Sequence, residues 1–230
     1  MEQVTIPNGW SCRRHQKNLA AYILQEKRGL RALDIWHRRG GKDSTALNLT
    51  AIKAHRGIPG TYWHLLPTQV QARKVVWNGI DGEGRRIIDQ VWPEACRQTT
   101  NAQDMFIRLK CGSAWQLAGS DNYNSLVGSN VRGVVFSEWA LCDPAAWNYI
   151  RPILLENGGW AIFITTPRGR NHCWSMYERV KDNPRWHCEL LNVEQTLRED
   201  GTRIFTDDML EMEREDGMSE EMIQQEYYCS

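Results

Sequence analysis

No C-x-x-C pair occurs among the seven cysteines (Cys12, Cys96, Cys111, Cys142, Cys173, Cys188 and Cys229), and their number is odd. That pattern argues against a disulfide framework and predicts reduced thiols in a cytosolic setting. No apolar run approaches the ~20 residues that span a bilayer, and the N-terminus lacks the apolar core of a signal peptide. A membrane span and a secretory leader are therefore not expected. Net charge is also missing: 28 Lys and Arg balance 28 Asp and Glu. A wholly basic nucleic-acid coat is excluded, although a local basic strip is not. Internal repeats and low-complexity tracts do not occur. What remains is a chain of 230 residues, 41% hydrophobic, enough for one sizeable core plus a small appendage. Its eleven tryptophans are expected to serve packing rather than a cofactor.

Apolar runs alternate with helical stretches. The pattern predicts strands over 32–36, 61–66, 105–109, 115–118, 133–136, 160–165 and 186–191. Helices are predicted over 15–25, 42–54, 69–78, 85–91, 145–156 and 174–181. Continuous runs such as Val134-Val135-Phe136 and Ala161-Ile162-Phe163-Ile164 are typical of parallel strands buried on both faces. An α/β fold with helices on both sides of a mainly parallel sheet follows. Beyond residue 185 the texture becomes acidic and helical, at 207–215 and 219–228. A core over 1–185 and a small lid or linker over 186–230 are expected. The ending Gln225-Glu226-Tyr227-Tyr228-Cys229-Ser230 has no polar tail and looks like a cut between domains.

Ile35-Trp36-His37-Arg38-Arg39-Gly40-Gly41-Lys42-Asp43-Ser44 carries the sharpest signal. A strand, a glycine turn with a lysine, then a helix is the layout of a phosphate-binding loop. Its backbone N–H groups meet phosphate oxygens, and its lysine neutralises their charge. The spelling departs from G-x-x-x-x-G-K-[ST]: Trp36 takes the first glycine position and Asp43 follows Lys42. A plain helix-start turn is the alternative.

Gly133-Val134-Val135-Phe136-Ser137-Glu138 places Glu138 at the C-terminal tip of a buried strand, the edge where ligands of open α/β sheets collect. There it either activates an attacking water or simply closes a strand. Ser137 stands where a magnesium-binding Asp is usual. Asp43 is a candidate to supply the missing carboxylate, with Ser44 and Ser137 as neighbouring oxygens. The other reading of Asp43 is a first-turn acid complementing the helix dipole. Thr165-Thr166-Pro167-Arg168-Gly169-Arg170 ends another strand in two hydroxyls and two arginines, either a phosphate sensor or an ordinary exit. Trp10, Arg13 and Gln16 precede the first strand, and such side chains can read or stack on an adenine.

In this order and spacing the four segments resemble the N-terminal ATPase domain of the large terminase subunit, the DNA-packaging motor of tailed bacteriophages. The resemblance implies an additional-strand, catalytic-glutamate (RecA-like) P-loop NTPase with a small C-terminal lid. It also implies ATP hydrolysis with Mg2+ that drives double-stranded DNA into a procapsid. Trp10, Arg13 and Gln16 then form the adenine-side motif, and Arg38, Arg39, Gly40, Gly41, Lys42, Asp43 and Ser44 the phosphate loop. Glu138 is the catalytic carboxylate, Thr165-Thr166-Pro167 the coupling motif, and Asp43, Ser44 and Ser137 the metal oxygens. Terminases carry an Arg-Gly pair eleven residues before that glutamate; here the position is Val127-Gly128, and Arg132 is a candidate substitute for the trans-acting arginine. The implied partners are a portal protein, a small terminase subunit and further copies in a ring, in the host-cell cytoplasm. The nuclease domain of such subunits is expected to be absent from this chain. A helicase-like DNA translocase, or a nucleotide- or DNA-binding domain without turnover, is the alternative.

Overall fold

The computed structural model describes residues 4–126 and 130–230. Eight strands make one sheet: β1 (Arg31–Trp36), β2 (Thr61–Leu66), β3 (Arg97–Asn101), β4 (Phe106–Leu109), β5 (Ala114–Gly119), β6 (Val131–Ser137), β7 (Trp160–Thr165) and β8 (Trp186–Leu191). Their order is β3-β4-β5-β2-β6-β7-β1-β8. Every pair from β5 across to β8 is parallel, whereas β3/β4 and β4/β5 are antiparallel. The seven predicted strands are all present. β3 is additional: it lies at the sheet edge with its Gln-Thr-Thr-Asn residues exposed, and it carries no apolar signal.

The helices are α1 (Lys17–Ile23), α2 (Lys42–Arg56), α3 (Gln69–Gln71, continued with π-helical hydrogen bonds through Ala72–Trp77), α4 (Ile87–Val91), α5 (Pro144–Asn157), α6 (His172–Val180), α7 (Asp207–Glu215) and α8 (Glu220–Ile223, continued as a π-turn to Tyr228). Caps fix several starts. Asp143 accepts from the Ala145 N–H, Asn171 from those of Cys173 and Trp174, and Thr206 from that of Met209.

Alternation along the central strands sorts their side chains into two cores. Val135, Ile162 and Ile164 pack with α1, α2 and α4, while Val134, Phe136, Ala161 and Phe163 pack with α5 and α6. Each large side chain buried this fully contributes about 1.5–3 kcal/mol. Phe136 and Phe163 stack in register across β6 and β7 with centroids 5.0 Å apart. Gly133 leaves room for Trp160, whose Cε2 lies 2.2 Å from where a Cβ would stand.

The expected boundary after residue 185 falls just before β8. That strand pairs with β1 over six positions and so completes the main sheet. Beyond it, Val193, Leu210, Ile223 and Tyr227 form a separate small core, with α7 and α8 around it.

Candidate functional site

Because β1, β6 and β7 run parallel, their C-terminal tips share one edge of the sheet. The chain leaves β1 into the loop that starts α2, leaves β6 at Ser137-Glu138, and leaves β7 at Thr165-Thr166. β7 lies between the other two. Three of the four segments singled out in the sequence therefore converge by topology, and the fourth packs onto them.

Gly41 caps α2 in the left-handed region (φ 78°), and a Cβ there would meet Gln16 Nε2 at 2.7 Å. Arg39 is also left-handed, at φ 64°, an unusual conformation for a residue with a side chain. Lys42, at the first position of α2, is buried. Its ammonium donates to the carbonyls of Trp36 (3.2 Å) and His37 (3.2 Å) and to Thr166 Oγ1 (3.0 Å). Three protons thus meet three acceptors inside the loop.

The Thr166 N–H points at Glu138 Oε2, 3.5 Å away. Lys42 and Glu138 therefore meet on one residue. Glu138 itself is left-handed (φ 53°), a conformation that costs of order 1–3 kcal/mol and clusters at functional positions. Burial pushes its carboxyl up; Lys42 opposes this, Asp43 reinforces it, and the net direction is upward. A raised carboxyl is closer to the range useful for taking a proton at neutral pH. Thr165 accepts from the Ala140 N–H (3.2 Å), and Asn171 Nδ2 donates to the Ala140 carbonyl (3.1 Å). The exits of β6 and β7 are thereby fastened together.

Asp43 lies where the two strand tips approach α2. Ser137 Oγ donates to its Oδ1 at 2.5 Å, and His64 Nε2 is 3.6 Å from the same oxygen. Burial pushes the Asp43 carboxyl up, but His64, Ser137 and Lys42 outweigh it and hold it below the usual range. Its carboxylate is thus ionised at neutral pH. Ser44 is exposed in the first turn of α2. His64, fully buried on β2, escapes sequence reasoning. Its one signal there is a polar residue inside the otherwise apolar Tyr-Trp-His-Leu-Leu run.

The upstream segment braces the loop. His15 Nε2 (2.9 Å) and Gln16 Nε2 (3.2 Å) both bond the Gly40 carbonyl, and Gln16 Oε1 accepts from the Arg13 N–H. Gln16 is buried and engaged with backbone, so it supports the glycine turn; Arg13 is exposed and Trp10 half-buried. Arg38 donates its N–H to the Glu226 carbonyl at 2.8 Å, and its guanidinium lies 3.7 Å from the Glu226 carboxylate. Arg168 reaches the same buried carboxylate at 2.6 Å. His37 Nε2 bonds Thr196 Oγ1 at 2.6 Å. The C-terminal subdomain is thus tied to the loop after β1 and to the loop after β7. Arg39 is exposed beside Gly40.

Arg132 does not join this group. It opens β6, five residues before Ser137, about 16 Å away at the opposite edge. There its Nη1 bonds the Asn157 carbonyl at 2.8 Å. The Val127-Gly128 position lies outside the described residues. Several cations elsewhere are paired with acids: Arg85 with Asp81 and Glu83, Arg97 with Asp89, and Lys181 with Glu178. No helix among the described residues is long and apolar enough to cross a membrane.

No protein-family model matches the chain. The terminase large subunit of Escherichia phage T5 is 32% identical over 132 residues, covering 55% of this chain and 28% of that protein. The match therefore reaches little more than a quarter of the relative's length. The Thermus phage P74-26 large terminase ATPase domain has a TM-score of 0.67 at 16% identity, covering 97% of this chain and 95% of that one. The large terminase of another thermophilic bacteriophage, in complex with ADP, has a TM-score of 0.69 at 13% identity, covering 95% and 53%. The chain is similar in sequence to a terminase large subunit and has the fold of large terminase ATPase domains.

Proposed function

We propose that this chain is the ATPase domain of a phage DNA-packaging motor. It hydrolyses ATP to ADP and phosphate, and the hydrolysis drives double-stranded DNA into a procapsid within the infected cell. One observation carries the reading: Lys42, at the phosphate-binding turn, and Glu138, at the neighbouring strand tip, both contact Thr166. Structures of the thermophilic bacteriophage's large terminase with ADP and with ATP-γ-S support the nucleotide assignment by likeness of fold.

In this mechanism the backbone N–H groups at Gly41 and Lys42 hold the β- and γ-phosphates at the N-terminus of α2. The Lys42 ammonium exchanges its internal carbonyl partners for phosphate oxygens. Glu138 orients the attacking water and accepts its proton, an arrangement that works mainly by positioning and charge stabilisation. Arg39, exposed and held in a left-handed turn, contacts the γ-phosphate or a neighbouring subunit's site. Asp43 and Ser137 fit a magnesium ion by donor chemistry, both being hard oxygens that already lie together, with Ser44 close by in the chain. When bound, that ion would neutralise developing charge on the phosphate oxygens. Trp10 and Arg13 flank the adenine, and Thr165-Thr166-Pro167 relays the state of the site to the loops around it. The partners are duplex DNA, a portal protein, a small terminase subunit and further copies in a ring.

Phosphate release by the full-length protein with DNA present tests the assignment. Glu138→Gln is expected to lower it by roughly 10²–10⁴-fold, and Lys42→Ala to abolish it. Equal rates in wild type and Glu138→Gln would remove the catalytic assignment.

A further inference from the structure

Beneath α1, one face of the β1/β8 pair carries an unusual set of side chains. The register sets Ala32 beside His187 and Asp34 beside Glu189, so Asp34, His187 and Glu189 share that face. Cys188, between them, faces the opposite core. Asp34 is fully buried. Four atoms in this group are shielded from solvent and make no hydrogen bond: Asp34 Oδ1 and Oδ2, His187 Nε2 and Glu189 Oε2. Ligand atoms from the three residues lie within 4.8 Å of one another.

We propose that Asp34, His187 and Glu189 form a binding site for one divalent cation of the zinc type, separate from the nucleotide site. An ion pair between Asp34 and His187 alone does not account for the group. The imidazole Nε2 is 3.2 Å from Asp34 Oδ1, which leaves Asp34 Oδ2 and Glu189 Oε2 bare and a second carboxylate uncompensated. Shielded carboxylate oxygens without partners, on the fully buried Asp34 and on the half-buried Glu189, are expensive, and a divalent ion satisfies both at once. The 3.2 Å spacing matches the separation of roughly 3.3 Å between two ligands on a tetrahedral ion with bonds of about 2.0 Å.

The surroundings hold the ligands in place. Asn18 Nδ2 donates to Glu189 Oε1 at 3.0 Å and leaves Oε2 free. Tyr22 stacks on the His187 ring, with centroids 5.4 Å apart, and its hydroxyl is anchored on the Arg185 carbonyl. Such supporting contacts fix ring orientation at metal sites. An imidazole with two carboxylates suits Zn2+, Co2+ or Mn2+ better than Mg2+, which prefers oxygens and retained water. The ion would fasten edge strand β8 to the strand that carries the phosphate loop.

Co2+ is the informative probe, because its spectrum separates nitrogen and oxygen ligands from thiolates, and this chain has seven cysteines. The full chain, stripped with EDTA and free of nucleotide, is titrated with Co2+ and then Zn2+. Calorimetry, visible absorption and thermal melting are followed. One equivalent per chain, no sulfur charge-transfer band and a raised melting temperature are expected. His187→Gln and Glu189→Gln should each weaken binding roughly tenfold or more, whereas Asp43→Ala should leave it unchanged. Absence of stoichiometric binding to the wild-type chain would overturn the proposal, as would binding unaltered in both variants. Because Asp34→Asn risks misfolding, the two more accessible ligands carry the test.

Discussion

Lys42 Nζ donates to Thr166 Oγ1 at 3.0 Å, across the gap between the loop after β1 and the tip of β7. The ammonium is almost fully buried, so losing this acceptor leaves one proton unsatisfied away from water. Thr166→Val is expected to destabilise the fold by about 1–3 kcal/mol. Turnover should fall roughly ten- to hundredfold, because the lysine loses its lateral restraint. Thr166→Ser keeps the hydroxyl and should restore both. Urea unfolding and steady-state phosphate release measure the two effects; a fully active valine variant would contradict the role.

Acid should weaken the fold through His37. Burial lowers its pKa to about 4 from 6.5, with the Lys42 and His15 charges adding to the effect and the Arg38 backbone contact opposing it. The folded chain therefore binds this proton less readily than the unfolded chain. The stabilisation is complete above pH 6.5 and is lost as pH falls from there towards 4. The shift corresponds to about 3 kcal/mol. Equilibrium unfolding at pH 7.5 and at pH 4.5 should show a loss that His37→Gln, uncharged at both, largely escapes. Identical pH dependence in the variant would exclude this histidine as the source.

Arg168 and Glu226 should respond unequally to replacement. Glu226 is 1% exposed and Arg168 34%. Arg168→Ala leaves a buried carboxylate with Arg38 at 3.7 Å and the Gln225 amide at 3.4 Å, no close cation among them, and should destabilise by about 3 kcal/mol. Glu226→Gln keeps a polar group in place and releases an arginine that water can solvate, for about 1 kcal/mol. Chemical denaturation ranks the two, and the opposite order would mean that the arginine is the costlier partner to leave alone.

Much of this fold is legible in the sequence because parallel strands buried on both faces leave continuous apolar runs, as in β6 and β7. β3 leaves none, since its side chains face water. Local spelling marks the three strand-tip segments, and parallel topology then brings them to one edge. Arg132, five residues before Ser137, sits at the far end of β6 and outside its own chain's site. The boundary expected at 185 cuts β8 from its sheet for a related reason, because the pairing of β8 with β1 joins residues more than 150 apart. The tie between His37 and Thr196 depends on such a distant pairing, and the approach of His64 to Asp43 on a nearer one between β2 and α2; neither has a local signature.

Inserting β7 between β1 and β6 separates the ammonium-bearing turn from the tip of β6 by a full strand. Two bridges cross that gap: the hydroxyl and amide of Thr166, carried by β7 itself, and the Asp43–Ser137 bond, which passes it by. A shift of β7 by a fraction of an ångström would therefore pull on both flanking segments while the second bridge holds them at a set spacing.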